Sequence, residues 1–262
     1  MKTIDFGMPT LIETNSIESC ARVCKELELD FIELNMNLPQ YQIENIDIQQ
    51  LLSICKDENI YFTIHLDENL NVCDFNYDIA NAYMKTVLST IEIAKQLKIP
   101  VLNMHMSKGV YFTLPYEKVF LFEKYNDIYM RKLKEFRDIC EKSIGQSNIK
   151  ICIENCSGYM KFEMEGIELL LESSVFALTF DIGHSHSGNG IDEPFINMHI
   201  DRLYHMHAHD SIGTQNHLPL GTGEVNLVER FSLARVHNCR VVLEIKTIKG
   251  LIQSVNKLKN YL

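Results

Sequence analysis

The sequence lacks a long apolar run, a leader-like N-terminus and any stretch rich in proline, glycine or serine. No apolar run approaches the roughly 18 residues that a membrane-spanning helix needs, and MKTIDFGMPT does not resemble a signal peptide. Because no linker or low-complexity segment divides the composition, we expect residues 1–262 to form a single domain. The 46% of hydrophobic residues is enough for a sizeable core.

Cysteines at framework spacing and an excess of positive charge are also absent. The eight cysteines are scattered, which is typical of free thiols in a cytoplasmic protein. The net charge is −10, whereas proteins that bind nucleic acid usually present a basic surface. The most basic stretch, residues 131–137, is interrupted by Glu135 and is interpreted as a solvated helix face. The composition favours a small-molecule substrate over nucleic acid or membrane, and it leaves a homo-oligomer open.

Short apolar runs rich in β-branched and aromatic residues alternate with segments of helical period. The predicted strands are Ile4–Met8, Phe31–Asn35, Tyr61–Leu66, Val101–Met106, Ile149–Asn155, Phe176–Asp181, Arg202–His209 and Val241–Lys246. The predicted helices are Ile17–Glu28, Ile46–Glu58, Tyr77–Leu97, Glu117–Ser143, Glu165–Glu172, Glu193–His199, Leu227–Val236 and Leu251–Leu262. Eight such repeats predict the α/β class and a (β/α)₈ TIM barrel. A doubly wound open sheet would need a Gly-rich turn after the first strand, and MPTLIETN offers none.

The densest chemistry lies between Leu203 and Asn226. His205, His207 and His209 alternate with apolar residues, so their side chains share one face of the predicted strand. Asp210 then opens a glycine-containing loop that is predicted to be long and carries a further histidine, His217. Stacked imidazoles that lead into such a loop indicate metal ligands at the mouth of a cavity.

Acidic or imidazole side chains stand near the end of every predicted strand from the second to the eighth. They are Glu33, His65, His105, Glu154, Asp181, His207 and Glu244, with His184 and His217 on loops. In barrels of this kind the carboxyl ends of the strands meet at one rim. Carboxylates gathered there would repel one another unless cations neutralised them, so the set predicts a divalent metal.

Glu33 and the remaining histidines are predicted to support the site or to lie outside it, and not to bind the metal. Glu33 is expected at most to support the ligands, and His205 is expected to fill a layer beneath His207. His209 is expected to help position the rim. Surface or structural roles are assigned to His186, His199 and His237.

The segments IHL, NMHM, IENCSG, FDIGHSHSGNG, HMHAHD, HLPLGTGEV and LEIK are similar to the strand ends of the xylose isomerase-like TIM barrel superfamily. The resemblance runs in order from His65 to Glu244. The superfamily includes sugar and sugar-phosphate isomerases and epimerases, and also AP endonuclease family 2, the endonuclease IV type of abasic-site nuclease. The resemblance therefore implies the same barrel and a metal-dependent enzyme.

The epimerase pattern implies one divalent ion (Mn²⁺, Zn²⁺, Mg²⁺ or Co²⁺) held by Glu154, Asp181, His207 and Glu244. It also implies that Glu154 and Glu244 move protons and that His184 contacts the substrate. A metal that bridges a carbonyl and its neighbouring hydroxyl acidifies the C–H between them, so two opposed glutamates can exchange that proton through an enediolate. The epimerases usually carry an arginine shortly after their His-x-x-Asp motif, whereas SIGTQN follows Asp210 here.

The nuclease pattern implies three zinc ions with nine ligands, of which eight are matched. They are His65, His105, Glu154, Asp181, His184, His207, His217 and Glu244. The ninth, an aspartate, is replaced by Gln215, whose neutral amide is a poor zinc ligand. His65, His105, His184 and His217 are thus predicted to bind a second metal or the substrate.

We expect a metal-dependent isomerase or epimerase of a small sugar, sugar phosphate or polyol. The alternatives are an endonuclease IV-like zinc phosphodiesterase and a metal-dependent dehydratase of a cyclic polyol. A barrel that only binds a sugar would not require both Glu154 and Glu244. The loops Asp67–Asn76 and Ser107–Leu114 are predicted to face the substrate.

Overall fold

The eight predicted strands pair side by side into a closed parallel barrel. A computed structural model describes residues 4–156 and 158–261. Its barrel strands are β1 Phe6–Pro9, β2 Phe31–Asn35, β3 Tyr61–His65, β4 Val101–His105, β5 Lys150–Glu154, β6 Phe176–Asp181, β7 Leu203–Ala208 and β8 Arg240–Leu243. Each strand pairs with its neighbours in the chain, and β1 closes the barrel against β8. The predicted α/β (β/α)₈ TIM barrel is confirmed.

Helices surround the barrel and follow its strands. They are α1 Ile17–Glu26, α2 Ile48–Glu58, α3 Tyr77–Leu97, α4 Leu121–Lys124, α5 Asn126–Ile144, α6 Lys161–Leu171, α7 Ile182–Ser187, α8 Glu193–Met198, α9 Leu227–His237 and α10 Ile248–Leu258. Short 3₁₀ turns lie at Pro39–Tyr41, Ile43–Asn45 and Ile200–Arg202. Side chains that accept from first-turn amides fix several helix starts, as Ser16 does for α1.

The apolar core lies between the strands and the helices, where residues such as Phe136 of α5 and Phe176 of β6 stack edge to face. Toward the mouth, the inside of the barrel is polar and hydrogen bonded. The Thr63 hydroxyl donates to Glu33 Oε2 at 2.9 Å, and the Thr179 hydroxyl donates to Asn103 Oδ1 at 2.5 Å. A buried polar layer of this kind is stable only where its partners are satisfied. This polar layer lies directly beneath the residues at the carboxyl ends of the strands.

The prediction of one helix over Glu117–Ser143 is wrong at its start. Lys118–Phe120 is instead a strand that pairs with Tyr111–Thr113, within the segment predicted as a substrate-facing loop. The turn between them contains Pro115 and is closed by the Leu114 amide, which donates to the Glu117 carbonyl. Proline favours the second position of a β-turn and cannot donate to a helix, so the chain doubles back here.

The long loop predicted after β7 is also ordered differently. Asp210–Ile212 pairs with Gln215–Leu218 in an antiparallel hairpin, and α7, which was not predicted, follows β6 directly. Smaller shifts affect element ends. Strand β8 ends before Glu244, α6 begins earlier than predicted and the last helix begins at Ile248. Leu262, at the end of the predicted last helix, lies outside the described residues.

A single buried carboxylate, that of Asp210, holds the loop after β7 in place. It accepts hydrogen bonds from the backbone amides of Ser211, Gly221, Gly223 and Val225, at 2.8 to 3.0 Å. A side chain at Gly223 would overlap this carboxylate, and Gly221 has a φ of +72° that favours glycine. We call this arrangement the Asp210 clamp. It fixes both ends of the segment that carries His217.

Among the described residues, no helix is both long and apolar enough to cross a membrane. All eight cysteines lie in the described part of the chain, and each is a free thiol.

Candidate metal centre

Parallel pairing brings four of the predicted site residues together at the carboxyl ends of β5 to β8. Asp181 stands opposite His207 in the register of β6 and β7. Glu244 follows β8, and its amide continues the pairing by donating to the Ala208 carbonyl. One ligand atom from each of Glu154, Asp181, His207 and Glu244 lies within 4.8 Å of the others, and all four residues are buried. We call these residues the four-residue centre.

Two carboxylate oxygens in the centre are buried without a hydrogen-bond partner. Asp181 Oδ1 accepts from the His184 amide at 2.7 Å, while Oδ2 has no partner. Glu244 Oε1 contacts Lys246 Nζ at 2.7 Å, while Oε2 has no partner. A buried carboxylate oxygen without a partner is costly, and a divalent cation would remove that cost. The residues present therefore fit a divalent metal.

His207 lies between two carboxylates and has a nitrogen on each. Its Nε2 is 2.8 Å from Glu33 Oε1, and its Nδ1 is 3.1 Å from Glu154 Oε1 and 3.8 Å from Glu244 Oε2. Burial alone would lower the pKa of His207, but Glu154 and Glu33 outweigh burial and hold that pKa well above its ordinary value. The carboxylates around His207 Nδ1 thus stabilise a positive charge at this place, which a proton or a metal ion can supply.

Glu33 supports His207 from inside the barrel. Its Oε2 also accepts from His205 Nε2 at 3.0 Å, and His205 is completely buried on the same face of β7. Burial would raise the pKa of Glu33, but His207 and His205 outweigh it and hold the pKa well below the ordinary value. A carboxylate behind a ligand imidazole fixes the orientation of the ring and the position of its proton.

A second group is formed by His65, His105 and Glu154. His65 Nε2 and His105 Nε2 lie 3.4 and 3.2 Å from Glu154 Oε2, which also accepts from Asn103 Nδ2. Burial lowers the pKa of His65, but Glu154 outweighs it and raises the pKa to about 9. His65 Nδ1 is 2.7 Å from the Leu66 carbonyl, so Nδ1 carries hydrogen and Nε2 can face an ion when the ring is neutral.

A third group contains His184, His209, His217 and Glu244. His184 Nδ1 donates to the Cys156 carbonyl at 3.0 Å, and His217 Nδ1 donates to the Glu244 carbonyl at 3.3 Å. In each neutral ring the other nitrogen, Nε2, is then free to accept or to bind a cation. Burial lowers the pKa of His217 to about 4, so this ring is neutral over the physiological range.

A family model described as the xylose isomerase-like TIM barrel matches residues 21–261. The chain belongs to this family. An uncharacterized protein of Methanocaldococcus jannaschii, MJ1188, is 25% identical over 214 residues, which cover 78% of this chain and 73% of the relative.

Solved structures share the fold of this xylose isomerase-like barrel over nearly its whole length. A D-tagatose 3-epimerase-like protein has a TM-score of 0.80 and 22% identity, with 98% of this chain and 97% of that chain covered. The probable 3-DHS dehydratase AsbF of Bacillus anthracis has a TM-score of 0.75 and 12% identity, with 99% and 100% covered. At these identities the likeness shows the fold alone.

The remaining histidines of this xylose isomerase-like barrel lie apart from the three groups. His186 is 3.6 Å from the exposed Glu224, His199 is 3.4 Å from Glu168, and His237 ends α9. Gln215 is exposed on the hairpin. The predicted loops Asp67–Asn76 and Ser107–Leu114 follow β3 and β4, so they start from the same end of the barrel as the centre.

Sequence reasoning did not identify Lys246 and Asn103 as parts of the site. Lys246 Nζ pairs with Glu244, and Asn103 Nδ2 donates to Glu154. Both carry a period-two signal, since each stands two residues from a site residue on the same predicted strand. His209 was expected only to help position the rim, and the structure buries it completely within the third group.

Proposed function

We propose that this barrel is a divalent-metal-dependent isomerase or epimerase of a small sugar, sugar phosphate or polyol. The ion would be held by Glu154, Asp181, His207 and Glu244. The observation that carries the proposal is the pair of buried, unpartnered oxygens, Asp181 Oδ2 and Glu244 Oε2, beside His207 Nδ1. The fold likeness to sugar epimerases supports the same reaction class.

When bound, the ion would polarise a carbonyl and a neighbouring hydroxyl of the substrate and acidify the C–H between them. Glu154 and Glu244 are the proposed proton carriers. Glu154 ends β5 and Glu244 directly follows β8, with β6 and β7 between them, so they approach the centre from different sides.

Both glutamates are held as carboxylates. Burial would raise the pKa of Glu244, but His207 and Lys246 outweigh it and lower the pKa to about 2. Burial would likewise raise the pKa of Glu154, but His207 and His105 hold it well below the ordinary value. Each can therefore accept a proton from the substrate; in an epimerisation one glutamate would accept the proton, and the other would first take up a proton and then return it on the opposite side. His184 Nε2 and His217 Nε2 are available to contact substrate hydroxyls, since their Nδ1 atoms already donate to carbonyls.

Metal-assisted hydrolysis of a phosphodiester is the second candidate, and the group of His65, His105 and Glu154 favours it. Glu154 could bridge two ions, with the imidazoles holding the second one. The exposed neutral Gln215 and the net charge of −10 argue against a third zinc and against DNA as a substrate. A dehydratase, as in the fold neighbour from B. anthracis, would use the same four-residue centre and differ in the substrate.

Metal stoichiometry and activity of the purified protein separate these functions. We expect one ion per chain, interconversion of ketose epimers or of aldose and ketose in a substrate panel, and no cleavage of abasic-site DNA. The double variant His65→Ala/His105→Ala should keep that ion, and His186→Ala is the matched control on the exposed side. Two or more ions in the wild type, with DNA cleavage and the extra ion both lost in the double variant, would establish the hydrolase instead.

A further inference from the structure

The protonation of His209 is set by a backbone amide of the hairpin. His209 Nδ1 accepts from the His217 amide at 2.9 Å. An amide N–H is an obligatory donor, so Nδ1 cannot itself carry hydrogen without placing two hydrogens against each other. The Asp210 carbonyl, 3.2 Å from the same nitrogen, therefore receives no hydrogen from it. The neutral ring must carry its hydrogen on Nε2.

The hydrogen on Nε2 distinguishes His209 from the other imidazoles of the third group. His184 and His217 use Nδ1 as a donor and keep a lone pair on Nε2. His209 has the opposite tautomer, so its Nε2 cannot bind a cation. That Nε2 is completely buried, lies 3.2 Å from Asp181 Oδ1 and has no aligned hydrogen-bond partner.

The chain also leaves room for the ring at this place. A side chain at Gly183 would overlap the ring atoms of His209. His184 and His217 pack against the same ring with centroids 5.1 and 4.3 Å away. Packing on several sides restricts the ring, so the direction of Nε2 is fixed by the fold.

We propose that His209 is a positioning residue for Asp181 and not a metal ligand. The His184 amide donates to Asp181 Oδ1, and the Nε2–H of His209 lies 3.2 Å from the same oxygen without an aligned hydrogen bond. Both N–H groups stabilise negative charge on Oδ1, which leaves Oδ2 as the oxygen that faces the ion. The hairpin thereby acts on the metal centre through two successive contacts. The His217 amide holds the His209 ring, and the His209 ring lies against the Asp181 carboxylate. This inference rests on the proposed function, because it assumes that Asp181 binds a metal.

Three substitutions at one position separate the two nitrogens of the ring. In His209→Asn the side-chain oxygen lies near the place of Nδ1 and can accept from the His217 amide, but no donor reaches Asp181. In His209→Gln the side-chain NH₂ lies near the place of Nε2 and can donate to Asp181, but the acceptor for the amide is lost. His209→Ala removes both functions, and His186→Ala is the control.

The measurements are the dissociation constant for Mn²⁺ by titration calorimetry and the number of ions per chain by elemental analysis. We expect His209→Asn and His209→Ala to weaken Mn²⁺ binding about 10- to 100-fold with the ion count unchanged, as for other residues behind metal ligands. His209→Gln should bind Mn²⁺ more tightly than His209→Asn.

The contrary outcomes are distinct from one another. If His209 only tethers the hairpin, His209→Asn should match the wild type and His209→Gln should be the weaker binder. If His209 is a ligand, all three variants should lose an ion. Either result overturns the inference and leaves the proposed metal centre standing, whereas a wild type that binds no divalent ion overturns both.

Discussion

Replacing Asp181 by asparagine changes one buried atom of the proposed metal centre. The His184 amide donates to Oδ1 at 2.7 Å, so the carbonyl oxygen of the new amide should keep that place. The NH₂ group then replaces Oδ2, the oxygen that has no partner in the structure. The substitution therefore turns the atom that faces the ion from an acceptor into a donor and removes one negative charge.

The cost should fall on metal binding and leave folding intact. Loss of a charged ligand should weaken Mn²⁺ binding by a factor of about 100 or more, which is about 2.8 kcal/mol at 1.4 kcal/mol per tenfold. The backbone at this position is held independently, because Asn155 donates to the Asp181 carbonyl and accepts from the Asp181 amide. Since the wild-type Oδ2 is buried without a partner, the metal-free variant should be at least as stable as the metal-free wild type.

Titration calorimetry with Mn²⁺ measures the affinity, and elemental analysis after dialysis measures occupancy. Thermal unfolding of the metal-free proteins checks the fold, and His186→Ala, whose ring pairs with exposed Glu224, supplies the control. Full occupancy in Asp181→Asn with unchanged affinity would show that Asp181 is not a ligand. Loss of affinity that accompanies unfolding would show that the carboxylate serves the fold.

Two further predictions concern stability. In Asp210→Asn the side-chain NH₂ must face two of the four backbone amides that donate to the carboxylate. We therefore expect the free energy of unfolding, measured in urea, to fall by about 2 to 4 kcal/mol. An unchanged unfolding midpoint would contradict the role of the Asp210 clamp. Burial raises the pKa of Glu163 from its ordinary 4.5 to about 7, so the folded state binds the proton more tightly than the unfolded state does. The contribution of Glu163 to the free energy of unfolding is therefore fully present below about pH 4.5 and is lost as the pH rises through 7. At about 1.4 kcal/mol per pKa unit this decline amounts to about 3 to 4 kcal/mol. It should be absent in Glu163→Gln, and a variant with the wild-type pH dependence would refute the assignment.

The barrel and the meeting of its polar strand ends could be predicted from the sequence because both follow from local periodicity. Alternation placed His205, His207 and His209 on one face, and eight repeats closed the sheet. The direction of each imidazole nitrogen could not be predicted, because it depends on a donor or acceptor elsewhere in the chain. Glu33, 172 residues before His205, is the example inside the barrel.

The hairpins were missed for a related reason. Ile212 and Gln215 pair across a turn at Gly213, and neither flank alternates long enough to stand out from a loop. The strand at Lys118–Phe120 was predicted as helix because the residues that follow it have a helical period. Short strands depend on their partners more than on their own composition, so propensity alone does not locate them.

The Asp210 clamp separates the tip of the hairpin from the residues that it supports. The four amides that bind the carboxylate lie at the two ends of the segment, one at Ser211 and three between Gly221 and Val225. The turn at Gly213 lies away from them, and a Cβ added at Gly213 would have no atom within 4 Å. Exposed turns whose flanks are anchored are the sites where proteins accept inserted residues. The position after Gly213 should thus take a peptide tag or a fluorescent label while His217 and His209 keep their places. Such a label would stand a few residues from His217 without entering the proposed metal centre.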